Sequence, residues 1–215
     1  MRLGIIIPYY KNSIVCEEKF KLLMEVINNQ LTSDMILYIY EDGQYSDWLD
    51  EYVGYHNIFV FGDEENHGVS YARNQGLEFF FHPYVDIDYI LFLDSDDMID
   101  KNYLKIMYKA MDGKTDILES RFFVKDRILK FGINDIRTGC CGSCIRAELI
   151  KNIRFDENLL IGEDTKFMQD LWKNHKIKKN LVETNYYYNL GSNANSLWMR
   201  YQRHKIDKDK ILEGK

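Results

Sequence analysis

The chain has 215 residues, 46% of them hydrophobic, with a net charge of −6 and a pI near 5.4. That length suits one sizeable domain rather than two separate cores, and the acidic balance excludes a broad basic face for nucleic-acid binding, which needs clustered Lys and Arg. No apolar run reaches bilayer-spanning length, and Met1-Arg2 opens onto a strand-like segment without a signal-peptide plan; no transmembrane segment and a cytoplasmic location are expected.

Leu3 to Pro8 is a short apolar run ended by Pro and reads as a buried strand. Glu17 to Gln30 follows with helical spacing at Phe20, Leu23, Met24 and Ile27. Met35 to Tyr40 is a second strand stopped by Glu41-Asp42-Gly43, and Ile58 to Phe61 a third stopped by Gly62. Val69 to Phe81 fits a helix, Tyr89 to Leu93 a fourth strand, and Asn102 to Met111 the helix after it. This alternation predicts an α/β fold with a largely parallel sheet and helices on its faces, whose ligands bind at the carboxyl ends of the strands. Beyond Met111 the pattern loosens: Asp116 to Phe123 reads as a strand, Ala147 to Ile150 as a short helix and Asp164 to Asn174 as a clearer one, with glycines at 139, 142 and 162 between them.

The strand Tyr89 to Leu93 runs directly into Asp94, Ser95, Asp96 and Asp97. Three carboxylates so close repel one another, and a divalent cation lets all of them stay ionised while a phosphate-bearing ligand completes its shell. A calcium loop of the EF-hand kind fails, because its glycine and glutamate positions fall on Ile99 and Lys105. Asp97 or Asp100 could instead cap the following helix. A haloacid-dehalogenase-like phosphatase also places Asp-x-Asp after a strand, although Met98 stands where that pattern wants Thr or Val. Cys140, Cys141 and Cys144 crowd together but lack a fourth ligand of suitable spacing, so reduced, partly buried thiols are expected rather than zinc.

Five segments in order resemble the GT-A fold of family 2 glycosyltransferases, from Leu3 to about Leu197. They are Gly4 to Tyr10, the acidic turn Glu41-Asp42-Gly43, the set Asn66, Gly68, Ala72, Arg73, Asn74 and Gly76, the segment Leu93 to Asp97, and Gly162-Glu163-Asp164. The resemblance implies a metal-dependent, inverting glycosyltransferase that moves a sugar from a nucleotide-sugar donor, a UDP-sugar, to a glycan, lipid-linked or protein acceptor. Asp96, with Asp94, would bind Mn or Mg. Pro8, Tyr10, Asp42, Arg73, Asp94 and Ser95 would contact the donor, with Asp42 accepting from the base. Asp164 would be the general base, with Glu163 beside it. Asp42 could equally be a turn former, and Glu163 and Asp164 could simply charge a helix start.

On this resemblance residues 1–111 form the nucleotide-sugar half of one domain, 112–197 the acceptor half, and 198–215 a charged helical tail. Tyr186 to Tyr188, Asn195, Ser196 and Leu197 resemble the closing segment over the donor, with Arg200 or His204 as phosphate contacts. The tail is a solvated helix or a peripheral contact with anionic lipid at the inner membrane face. Three departures stand out: Gly43 is followed by Gln44, Tyr45, Ser46 and Asp47, a one-residue lengthening of the acidic turn; His67 interrupts the Asn-Gly step; and the family's acceptor-side Trp is replaced around Gly142 to Cys144. A non-catalytic nucleotide-sugar-binding module is the alternative from another class.

Overall fold

The structure, a computed structural model, describes residues 1–11, 14–55, 57–124, 127–129, 139–174 and 176–188. Its first half runs β1 (Leu3–Tyr9), α1 (Ile14–Asn28), β2 (Met35–Asp42), a 3-10 turn at Asp47–Tyr52, β3 (Ile58–Asp63), α2 (Val69–Phe80), β4 (Tyr89–Phe92), β5 (Met98–Ile99) and α3 (Tyr103–Ala110). The second half adds β6 (Ile117–Val124), β7 (Arg127–Leu129), β8 (Ser143–Arg146), α4 (Ala147–Ile150), α5 (Glu163–Asn174) and β9 (Lys179–Tyr188).

The described strands make one mixed sheet in the order β3-β2-β1-β4-β8-β6-β9-β5, with β7 paired to β6. The first four are parallel, as the alternation predicts. Every residue of β1, β2 and β4 is buried, which is why these strands read as almost continuous apolar runs. Pro8 is tolerated in a central strand because β4 pairs with β1 only as far as Ile6, so its missing N–H removes no ladder bond there.

Helices cover both faces. α2 lies close on one, where a β-carbon at Gly76 would come within 2.8 Å of Ile6, and α5 joins it by setting Phe167 against Phe92 at 5.7 Å. On the other face Tyr9 meets Phe20 of α1 at 4.4 Å, and Gln30 ties α1 to α3 by accepting the Leu104 amide at 2.8 Å. None of the described helices is long and apolar enough to cross a membrane.

The second half departs from the expected pattern. β8 runs antiparallel between β4 and β6, and β5 crosses to the far edge to pair with β9. Tyr186 to Tyr188 do not form a closing segment: they belong to β9, where the alternate residues Val182, Thr184 and Tyr186 are buried and the strand pairs with β6 on one side. Asn195, Ser196, Leu197, Arg200, His204 and the rest of the tail lie outside the described residues.

Candidate active site

The carboxyl ends of β1, β2 and β3 lie level, with Tyr9 opposite Glu41 and Asp42 opposite Asp63, while β4 ends at Phe92 opposite Ile6, so that the acids following Leu93 come after it on the same side. Pro8, Tyr10, Asp42 and the acids after Leu93 therefore share one edge of the sheet, where ligands of such folds bind. Tyr10 follows β1 with 45% of its surface exposed, which leaves a ring face available for stacking. Asp42 is buried and accepts the His67 amide at 2.7 Å and the Gly68 amide at 2.8 Å, so its carboxylate pins the start of α2. Lone pairs beyond those two bonds are what it could offer a ligand.

Arg73 stands at the centre. It projects from α2, is 3% exposed, and its guanidinium lies 5.2 Å from the centre of the Phe155 ring. One nitrogen donates to Asp94 at 2.8 Å and another to Glu163 at 2.9 Å. The fork thus joins the acids that follow β4 to the acids that open α5, which a lysine's single ammonium could not do. The sequence suggested a contact to base or diphosphate; in the structure the buried guanidinium is engaged by Asp94 and Glu163 and braces the two against each other. The same guanidinium donates to Cys141 Sγ at 3.4 Å, and a hydrogen bond with Cys140, aided by burial, pushes the Cys141 thiol pKa well up, so it stays neutral. Cys140, Cys141 and Cys144 are all buried free thiols.

Asp94, Ser95 and Asp96 are each partly exposed, whereas Asp97 is buried. Burial, and after it the charge of Asp94, pushes the Asp96 carboxyl up to about 6. Asp97 accepts the Tyr186 hydroxyl at 2.5 Å, and that hydroxyl in turn receives the Asp94 amide at 3.3 Å, so β9 fixes the acidic loop from below. Asp100 likewise turns to β9, accepting the Asn185 amide at 2.9 Å and the Tyr187 hydroxyl at 2.8 Å. Helix capping is therefore not what these two acids are chiefly for: the residue at the start of α3 is Asn102, which makes no side-chain cap bond.

On the other side of Arg73, Asp164 sits in the first turn of α5. Its Oδ1 accepts the Thr165 amide at 2.6 Å. Burial first, and then the Glu163 charge, raise its pKa. A tight turn at Gly142, with φ of +70°, packs against Tyr186, whose hydroxyl holds Asp97. Any side chain there would run into the Tyr186 ring at 2.8 Å. The turn is held by the Gly142 amide donating to Phe92 O at 2.8 Å, and by the Tyr103 and Ser120 hydroxyls donating to Gly142 O at 3.0 and 3.2 Å.

Tyr186, Cys141 and Phe155 were not foreseen in these roles. Glycine punctuation around 139 and 142 was the only sequence signal for the turn, and nothing local marks a tyrosine that reaches an acid 89 positions earlier.

Among the described residues no group of three or more His, Cys, Asp and Glu side chains forms a metal cage by itself. Two neighbouring strand-end carboxylates, one with its pKa raised partly by the other, fit a hard cation that takes few protein ligands and completes its shell from a substrate's phosphates.

The profile of Glycosyl transferase family 2 matches residues 4–168. The minor teichoic acid biosynthesis protein GgaB of Bacillus subtilis (strain 168) is 33% identical over 163 residues, which is 66% of this chain and 17% of GgaB. Among solved structures, S. aureus TarS 1-349 in complex with UDP-GlcNAc superposes with a TM-score of 0.73 at 20% identity, covering 91% of this chain and 61% of that one. The mannosyltransferase PcManGT from Pyrobaculum calidifontis, in complex with GDP-Man and Mn2+, gives a TM-score of 0.63 at 12% identity, covering 92% of this chain and 59% of that one. These likenesses establish the GT-A-like fold. The chain spans less than a fifth of GgaB and about three fifths of the TarS chain.

Proposed function

This chain belongs to glycosyl transferase family 2, and from that premise we propose that it transfers a sugar from a UDP-sugar to a hydroxyl acceptor with inversion at the anomeric carbon. Membership of that family displaces the dehalogenase reading of Asp94. The observation that carries the proposal is the pair of acid clusters held on one guanidinium, Asp94 with Asp96 on one side and Glu163 with Asp164 on the other. Inverting transfer needs two things at once: charge compensation for a departing diphosphate and a base for the incoming hydroxyl.

Asp96 and Asp94 are the residues that would hold Mn or Mg together with the donor's diphosphate. When bound, such a cation offsets the negative charge that gathers on the leaving group. Tyr10 offers its ring to the base, Asp42 an acceptor for a base N–H, and Pro8 and Ser95 the backbone around them. Asp164 takes the acceptor's proton while the acceptor oxygen bonds to the anomeric carbon. The bond from that carbon to the β-phosphate oxygen breaks, and its electron pair leaves with the nucleoside diphosphate. Glu163, held by Arg73, orients hydroxyls beside the base. The UDP-GlcNAc bound to TarS supports a UDP-linked donor, and the part GgaB takes in minor teichoic acid biosynthesis supports an acceptor of that kind.

The test is UDP release from UDP-GlcNAc with Mn, with and without glycan acceptors. Acceptor-dependent release that disappears in Asp96→Asn is expected. Tight UDP binding without release across a broad acceptor set would point to the non-catalytic module.

A further inference from the structure

Asn74 follows Arg73 on α2, is 5% exposed, and gives its whole side-chain amide to one segment of chain. The Phe155 amide donates to Asn74 Oδ1 at 2.9 Å, and Asn74 Nδ2 donates to Phe155 O at 3.0 Å. Nδ2 also donates to Glu157 Oε1 at 2.7 Å. A backbone N–H can only donate and a carbonyl can only accept, so the two Phe155 bonds fix which way the amide faces. Phe155 is buried and lies in neither helix nor strand. Its backbone groups have no ladder to join, and Asn74 supplies what a neighbouring strand would.

Phe155 passes this anchorage to the acids of α5 by two routes. Its ring stacks on Phe167 with centres 4.2 Å apart and planes 5° from parallel. Phe167 stands three residues after Asp164, on the same side of the helix. The Arg73 guanidinium lies 5.2 Å from the centre of the same Phe155 ring, and it holds Glu163. Consecutive residues of α2 therefore clamp the segment from Phe155 to Glu163 at both ends. Between the clamps Glu157, Asn158, Leu159 and Leu160 are exposed, so the ends rather than core packing decide where that segment sits. The acids after β4 have a separate hold on β9, through Tyr186 and Asn185, which Asn74 does not touch.

We propose that Asn74 is the positioning residue for the base: through Phe155 and Glu157 it sets where Asp164 stands, and it takes no part in the transfer itself. The inference rests on the reading of Asp164 as the base. Without the Asn74 amide, Phe155 loses both of its backbone partners, the first turn of α5 shifts with it, and Asp164 gains solvent. Burial and then the Glu163 charge raise the Asp164 pKa, against the charge of Arg73. Admitting solvent lowers it.

Asn74→Ala tests this. Acceptor kcat/KM per folded molecule should fall about tenfold to a hundredfold, the scale of loss that misplacement by about 1 Å brings, while UDP–Mn affinity by calorimetry matches the parent. The acid limb of the acceptor kcat/KM profile should move to lower pH, because a base with a lowered pKa stays ionised further into acid. A role in the fold alone would leave that limb in place and weaken donor and acceptor sides together, which would overturn the proposal. Glu157→Ala, a change at an exposed position, should give a smaller loss and shift in the same direction, and Glu157→Gln, whose amide oxygen still accepts from Asn74, should stay at the parent value. If Asn74→Ala does not fold, this pair decides: both variants matching the parent would overturn the proposal. Intact turnover in Asp164→Asn would remove the base reading and the positioning role with it. Lost turnover in Asp164→Asn beside a parent-like Asn74→Ala would remove the positioning role alone.

Discussion

The two acid clusters are built on different supports. After β4 the acids lie on a loop held from beneath by a strand: Asp97 on the Tyr186 hydroxyl, Asp94 on Arg73. At the start of α5 the pair sits on a helical turn, with Glu163 on Arg73 and Asp164 on its neighbour's amide. Both clusters still follow one rule: part of the acid set is spent on bracing so that a partly exposed member can be held in place. A bare count of acids would not separate the two jobs; the partners of each carboxylate do.

The largest effects should come from the members assigned to chemistry. Asp164→Asn should cut turnover by about 10²–10⁴, the usual worth of a general base, while calorimetry finds UDP affinity intact. Asp96→Asn should do the opposite, removing Mn-supported UDP binding without unfolding the chain. If the two variants behave alike, the division of labour between the clusters is wrong.

Next comes the brace. Replacing Arg73 by Met leaves the carboxylates of Asp94 and Glu163 without their buried counter-ion and should destabilise the fold by about 3–5 kcal/mol in urea denaturation. Arg73→Lys should recover only part of this, since one ammonium cannot serve both sides.

Glu41 belongs to neither cluster and sharpens the contrast. It is 4% exposed, and one of its oxygens has no hydrogen-bond partner among the described residues. Burial, only partly countered by Ser46, pushes its pKa from 4.5 up to about 7. The folded chain therefore binds this proton more tightly than the unfolded chain does. Its stabilising contribution is complete below pH 4.5 and is lost as pH rises through about 7. Chemical denaturation should show the parent protein losing about 2–3 kcal/mol relative to Glu41→Gln between pH 5 and pH 8. A flat difference would mean that the carboxylate finds solvent.

The smallest effect should be that of Tyr186→Phe, which strips one hydroxyl from the loop support. It should cost about 1–3 kcal/mol of stability, since Asp97 is then left buried without that donor, and should weaken Mn-supported UDP binding more than it slows hydrolysis by bound enzyme.

Much of the first half was legible because its strands are covered on both faces and so appear as unbroken apolar runs ending in turn residues. Leu3 to Tyr9 and Met35 to Asp42 needed only a residue or two added at their ends. The second half hid for physical reasons. β8 is four residues of Ser, Cys, Ile and Arg, too short for periodicity, and β9 buries Val182, Thr184 and Tyr186 although its sequence, Lys-Asn-Leu-Val-Glu-Thr-Asn-Tyr-Tyr-Tyr, shows no polar–apolar alternation. The acids of the candidate site could be picked out by their place after strands and before a helix. Their partners could not, because Arg73 meets Glu163 across 90 residues and Tyr186 meets Asp97 across 89, distances over which only the finished fold decides contact.

The strand order also limits how this architecture can be cut and recombined. Met98 and Ile99, encoded with the first half, are clasped by β9, while β4 borrows β8 from the second half as its outer neighbour. A splice point near Met111 would therefore leave β5 without its partner strand and strip β4 and β8 of each other. Exchange between related chains must carry both pieces together, and inserted modules belong in the loops rather than at the apparent midpoint.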